Sequence, residues 1–342
     1  MPRPISQRLL SILQLTRMAL VFTALADSLT SVLLWADWMA RGGSEGTRYV
    51  DYLSPARLLT VAVVSVGLYG YGMSLNDIID RRRDRHIAAH RPLPSGRIGI
   101  ITAHVICVMF ALAALVAGAS LMRFENAGMF TFVLLIFTGA LITFYDYAGK
   151  YLVALGLLTL GLVRFFHATI PAPQLPLLWH PLLLMNHVTI LSTVAYVWEQ
   201  KRPALTRIHW WAVLGGLGLI DMVCIGLVWW RRSQRSGGNF AEALNISPGL
   251  LIPLMAVVAF VILAVLIRTR APDIRSAGRQ LMLLGLLWLI VYDASFVAGC
   301  VSLLAAVAIL MLFPVAYLSI LVMRWWAKFV LLTQNPEYQR AR

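Results

Sequence analysis

The chain is short of charge. Only 13% of its 342 residues are Asp, Glu, Lys or Arg, about half of what soluble domains carry. A soluble core of this length would need more charged surface, so a globular soluble domain is excluded. Acid is scarcer still, with 15 Asp and Glu against 29 Lys and Arg. Cysteine is nearly absent. Cys107, Cys224 and Cys300 lie in separate apolar runs, which excludes a disulfide framework and any Cys-based metal or redox motif. They read as packing residues.

What is present is apolar. Such residues make up 60% of the chain, and the mean hydropathy is +0.77. This is the composition of a polytopic membrane protein. The first apolar stretch, from Met18 to Trp35, is too long for the core of a signal peptide and reads as the first membrane helix. A span needs about 20 apolar residues. The candidates are 15–37, 57–76, 99–121, 127–145, 151–170, 176–198, 209–230, 248–267, 280–296 and 299–323. The expected fold is therefore all-α, a helical membrane bundle of nine to ten spans. Only Ala298, Gly299 and Cys300 separate the last two. The expected organisation is one transmembrane domain over residues 1–342.

The basic excess of +14 falls mostly in short loops between apolar runs. There it reports topology, not nucleic-acid binding. With the N-terminus in the cytoplasm, most Lys and Arg fall inside. Arg231, Arg232 and Arg235 run against that pattern. The expected location is the cell inner membrane, with both termini and the loops after spans two, four and six on the cytoplasmic side.

Those loops hold the unusual polar residues. Asn76-Asp77-Ile78-Ile79-Asp80-Arg81-Arg82-Arg83-Asp84 closes span two. On a helix, Asn76, Asp80 and Asp84 stand at i, i+4 and i+8 and share one face, with Asp77 beside them. Three carboxylates this close repel one another, more so at a membrane boundary. A hard divalent cation removes that cost, and Mg²⁺ shares carboxylate and phosphate oxygens readily. A charged helix end neutralised by its own arginines is the alternative. Downstream, Pro92 and Pro94 stop the helix, Ser95-Gly96 turns the chain, and Arg91 and Arg97 offer guanidinium forks to a diphosphate.

Asn76 to Arg97 resembles the first aspartate-rich motif of the UbiA superfamily of intramembrane prenyltransferases. The resemblance implies a bundle around a central cavity open to lipid, with two facing acidic motifs that bind Mg²⁺ and a prenyl diphosphate. It makes Asn76, Asp77, Asp80 and Asp84 metal ligands, with Asp77 and Asp80 catalytic and Asn76, Arg91 and Arg97 on the substrate. The second motif is depleted. Where the family usually has D-x-x-x-D, this chain has Glu199 alone, near Ser192, Thr193 and Tyr196. Glu199 is the candidate second metal ligand and Tyr196 a candidate substrate contact. A subgroup including the ebo-cluster proteins is similar in carrying a lone Glu here. Lys150 carries over as the diphosphate lysine, with Tyr145 or Tyr147 as its tyrosine.

Arg164, inside span five, is rare at membrane depth and needs an anionic partner. Substrate is one such partner; an internal pair with Asp146 is the other. Arg17, Asp27, Asp221 and Asp293 are further intramembrane polar residues, and Arg17 and Asp27 read as a structural pair on span one. The activity implied is Mg²⁺-dependent transfer of a polyprenyl group from a prenyl diphosphate to a small aromatic or hydroxylated acceptor within the bilayer. Phosphoribosyl transfer to a polyprenyl phosphate, and a non-catalytic carrier or complex partner, are the alternatives.

Overall fold

The computed structural model describes residues 5–44, 46–89, 91–124, 128–175, 177–233, 237 and 239–334. Among these the protein is all helix. α1 is Ile5–Leu15, α2 Val21–Arg41, α3 Pro55–Ile87, α4 Ile100–Leu121, α5 Gly128–Tyr147, α6 Val153–Thr169 and α7 Trp179–Trp198. Then come α8 Arg207–Ser233, α9 Phe240–Ala243, α10 Leu251–Arg270, α11 Ile274–Cys300, α12 Leu303–Leu310 and α13 Leu312–Gln334. Nine helical segments of the described residues are long and apolar enough to cross a membrane. The 17-residue α6 is a shorter tenth apolar helix. The expected all-α membrane bundle is observed.

Helices α2, α3, α5, α6, α7 and α11 pack in a closed ring, each against the next. α4, α8, α10 and the α12–α13 pair lie outside it. Outward faces of α4, α8 and α10 are rich in exposed Leu, Ile, Val and Met. Lipid tails are as apolar as these side chains, so helix association here depends on close packing and polar pairs. Small residues supply the packing. A Cβ added at Gly67 of α3 would sit 2.9 Å from the Ala114 backbone and methyl of α4.

Three boundaries differ from those expected. Span one does not start at residue 15. Arg17 adopts a left-handed conformation (φ 46°, ψ 38°), so the chain breaks between α1 and α2. Span two is much longer than expected: Ser54 caps it by accepting from the Arg57 N–H at 3.1 Å, and it runs 33 residues. That is roughly 50 Å of helix against a hydrocarbon core of roughly 30 Å. Asn76 stands roughly 32 Å from its start, so the acidic face belongs to the protruding end. The break between spans nine and ten falls at Val301 and Ser302, not at 298–300. Ser302 caps α12 by accepting from the Ala305 N–H at 3.2 Å. Pro314 lacks the N–H that would bond back to Leu310, and α12 ends there.

Arg231 and Arg232, which run against the charge pattern, close α8. Arg232 donates to the Ala243 carbonyl at 2.9 Å, so its charge serves the α8–α9 corner. Arg235 lies outside the described residues.

Gly67→Val should lower the melting temperature in detergent. Overpacking costs about 1–3 kcal/mol. Gly139→Val, whose Cβ meets nothing within 4 Å, should leave it unchanged. Equal melting of the two variants would refute close α3–α4 packing at Gly67.

Candidate active site

The protruding end of α3 buries its carboxylates. Asp77, Asp80 and Asp84 are 4%, 4% and 1% exposed. Carboxylates out of water need charge partners, and other segments bring them. Arg17, turned by its left-handed backbone, reaches Asp77 at 3.3 Å. Non-glycine residues in that region are uncommon and concentrate where a site demands them. The Tyr69 hydroxyl fixes the same turn by donating to the Arg17 carbonyl at 3.2 Å.

Arg91 lies 2.5 Å from Asp84 and 3.7 Å from Asp77. The proline loop holds it there: Leu93 and Ile98 bury with Leu15 of α1 and Ala103 of α4. Arg97 donates to Ser95 at 3.1 Å and to Gln14 at 2.8 Å, tying the loop to α1. Arg83 pairs with Asp80 at 2.7 Å within α3. A 3₁₀ turn over Gly149–Tyr151 follows α5. It lays the nearly buried Lys150 against Asp80 at 2.8 Å and Asp146 at 3.7 Å. Asn76 donates to Asp146 at 2.7 Å. Four carboxylates and four cations thus meet at one end of the bundle.

Of the residues singled out by sequence, Asn76, Asp77, Asp80, Asp84, Arg91 and Lys150 converge. Arg17 and Asp146 join them unforeseen. Asp146 had a readable signal, its i, i+4 spacing to Lys150. The backbone break that aims Arg17 had none. Of the two candidate tyrosines, Tyr145 is half-buried, whereas Tyr147 is 64% exposed. The Tyr196 hydroxyl donates to the Pro203 carbonyl at 2.8 Å, which fixes it to the following loop. Glu199 forms the C-terminal cap of α7 and pairs with Lys201 at 3.1 Å. Its side chain packs on Gly278 of α11.

A second polar cluster lies deeper. Arg164 pairs with Asp27 at 2.6 Å, not with Asp146, and the expected Arg17–Asp27 pair does not form. Helix α2 begins only at Val21, and the turn before it carries Arg17 toward α3. His180 meets Asp293 at 2.7 Å, and His167 shares a 3.0 Å hydrogen bond with Ser65. Asp27, His180 and Asp293 have no exposed surface. Asp221 accepts from Asn186 at 2.9 Å on the outer side of α7.

A polytopic bundle with an acidic helix end, met by cations from α3 itself and from three other segments, defines a membrane protein with a built anion-and-cation site. The family model described as the UbiA prenyltransferase family matches residues 29–200, half of the chain. The protein belongs to that family. Among solved structures, a digeranylgeranylglyceryl phosphate synthase has a TM-score of 0.56 at 16% identity, over 86% of this chain and 99% of that one. At this identity the likeness is one of fold. A UbiA homologue from Archaeoglobus fulgidus bound to DMAPP and Mg²⁺ gives a TM-score of 0.41 at 12% identity, over 91% and 99% of the two chains. The same homologue bound to GPP and Mg²⁺ gives 0.41 at 10%, with the same coverage. None of the curated proteins matches the sequence.

Asp27→Ala leaves Arg164 buried without its carboxylate. Breaking a buried pair costs about 3–5 kcal/mol, so the variant should melt well below the parent. Combining it with Arg164→Leu should recover much of the loss. Strictly additive losses in the double mutant would show that the two side chains do not act as a pair.

Proposed function

We propose that the protein is a single-domain membrane enzyme that transfers a polyprenyl group from a prenyl diphosphate to a small acceptor within the bilayer, with Mg²⁺. The observation that carries this is the convergence of Asp77, Asp80, Asp84 and Asp146 with Arg17, Arg91 and Lys150 at one end of the helical ring. Membership of a prenyltransferase family supports it.

The residues fit the metal. The donor set is hard oxygen, which Mg²⁺ takes. The Asp84 Oδ1 atom is buried with no hydrogen-bond partner. No group of three or more His, Cys, Asp or Glu forms a ready cage among the described residues. The aspartates would therefore hold the ion only with substrate phosphate and water completing its shell. Asn76, Asp77, Asp80 and Asp84 would hold it, with Glu199 as the remaining carboxylate of the depleted second motif. Magnesium, when bound, supplies Lewis-acid neutralisation of the leaving diphosphate.

The chain's own groups do the rest. Arg17, Arg91 and Lys150 bind the diphosphate and stabilise the charge that grows on it as the allylic C–O bond breaks. The bond's electron pair leaves with the diphosphate. On this reading the inside of the ring, apolar around the Arg164 cluster, opens to lipid, holds the isoprenoid tail and keeps water from the carbocation. The acceptor then attacks through a ring carbon or a hydroxyl and loses a proton. Arg164 reaches this interior already neutralised by Asp27, which favours an uncharged aromatic or hydroxylated acceptor over an anionic one. The basic residues gathered at the acidic end support a cytoplasmic side for that end and the N-terminus, with the protein in the cell inner membrane.

Purified protein should release diphosphate from a radiolabelled prenyl diphosphate only with Mg²⁺. Asp77→Ala and Asp80→Ala should abolish release. Each also strands a cation, Arg17 or Lys150, so the melting temperature should fall while the protein stays folded and monodisperse. Lys150→Ala should lower turnover by about 10²–10³, as when one charge-stabilising donor is lost. Undiminished turnover in both aspartate variants would sink the site, and no Mg²⁺-dependent binding of the donor would sink the activity.

A further inference from the structure

A cavity of about 530 Å³ lies between α7, α10 and α11, outside the helical ring. Its walls include Ile190 and Val194 of α7, Val261 and Val265 of α10, and Leu281 and Tyr292 of α11. Ile190, Val261 and Val265 are about half exposed, so the groove opens sideways onto the face that lipid covers. At its inner end, Asn186 and His187 turn their polarity elsewhere. Asn186 donates to the Leu182 carbonyl and to Asp221, each at 2.9 Å, and His187 bonds the Gly285 carbonyl at 2.9 Å. The groove is therefore apolar along its length.

Its other end is basic. The lining closes with Arg268 and Thr269. The Arg268 guanidinium stands 6.0 Å from the Trp198 ring centroid, at the level where interfacial tryptophans sit. Arg270, Arg275 and Arg279 follow in sequence around the α10–α11 turn, with Arg275 donating to Gln200 at 2.9 Å. Two acids are near: Asp273 caps α11 by accepting from the Ser276 N–H at 2.8 Å, and Glu199 pairs with Lys201 at 3.1 Å. From Val257 to Arg268 the groove follows α10 for roughly 16 Å. That is about half of a hydrocarbon core of roughly 30 Å, the depth of one leaflet.

We propose that this groove binds one anionic phospholipid, with an acyl chain along α10 and the headgroup phosphate on Arg268. Of these arginines only Arg268 lines the groove, and one lining guanidinium at an interfacial rim suits a singly charged phosphodiester. A prenyl diphosphate needs more, and none of the groove's lining residues is acidic to hold the metal it would bring. An acyl chain gains little by leaving bilayer for an equally apolar groove. Preference therefore comes from the headgroup, and the test reads headgroup preference. This site is independent of the transferase reading.

The full-length protein is incorporated in vesicles of equal phosphatidylglycerol and phosphatidylcholine, extracted in mild detergent, and weighed intact by native mass spectrometry. One phosphatidylglycerol should be retained in preference to phosphatidylcholine. Arg268→Gln should reduce that preference about fivefold, the worth of one basic residue near an anionic surface. Ala264→Trp, which fills the groove, should remove the retained lipid at an unchanged melting temperature. Val261→Trp repeats this from the lipid-facing wall if the first variant misfolds. Equal retention of the two lipids, or a preference unchanged in Arg268→Gln, overturns the proposal. So does a prenyl diphosphate whose binding is lost in Arg268→Gln but kept in Asp77→Ala, which would make the groove part of the donor site.

Discussion

The architecture depends on charge balance at the end of α3. A helix longer than the membrane is thick carries three aspartates out of the hydrocarbon and buries them again under neighbouring segments. Uncompensated, that arrangement would cost several kcal/mol per charge. The compensation shapes the backbone around it. It accounts for the left-handed turn at Arg17, the proline loop anchored by Leu93, and the 3₁₀ turn that presents Lys150. Each of these irregular pieces delivers one cation: Arg17 to Asp77, Arg91 to Asp84 and Asp77, and Lys150 to Asp80 and Asp146. The pairs also leave the site poised for exchange, because every cation held by an aspartate is one that a phosphate oxygen can take over.

The same rule operates deeper in the bundle with a different outcome. Arg164, Asp27, His180 and Asp293 come from four helices and pair within the protein. These pairs lie away from water, so breaking one strands a charge. They lock α2 to α6 and α7 to α11, where lipid supplies no hydrophobic force to do so. The inner pairs tie helices together, Arg164 to Asp27 and His180 to Asp293, whereas on the function proposed above the acidic end is shared with a ligand.

Toward the lipid the logic reverses. α8 and α10 expose aliphatic side chains almost all round and touch the ring along narrow seams. Such seams leave grooves, and a groove ending in arginines at the interface offers a place to a particular lipid headgroup.

Much of this was written in the sequence. Hydropathy gave the apolar centre of each span, because a bilayer demands runs of fixed length whatever they pack against, but it missed how far α3 runs past Asn76. The i, i+4, i+8 spacing of Asn76, Asp80 and Asp84 placed them on one face, because helix geometry alone decides that. Lys150 was legible through the resemblance to the family, which carries a lysine in this turn. What only the tertiary structure decided was partnership. Arg17 and Asp27 lie ten positions apart and read as mates, yet a single left-handed residue sends one to Asp77 and leaves the other to Arg164. Tyr145 turns inward and Tyr147 outward by the rotation of one helix end. Sequence fixes where a charge enters the membrane. Which opposite charge meets it depends on backbone breaks and helix rotations, which are set by packing between segments distant in the chain.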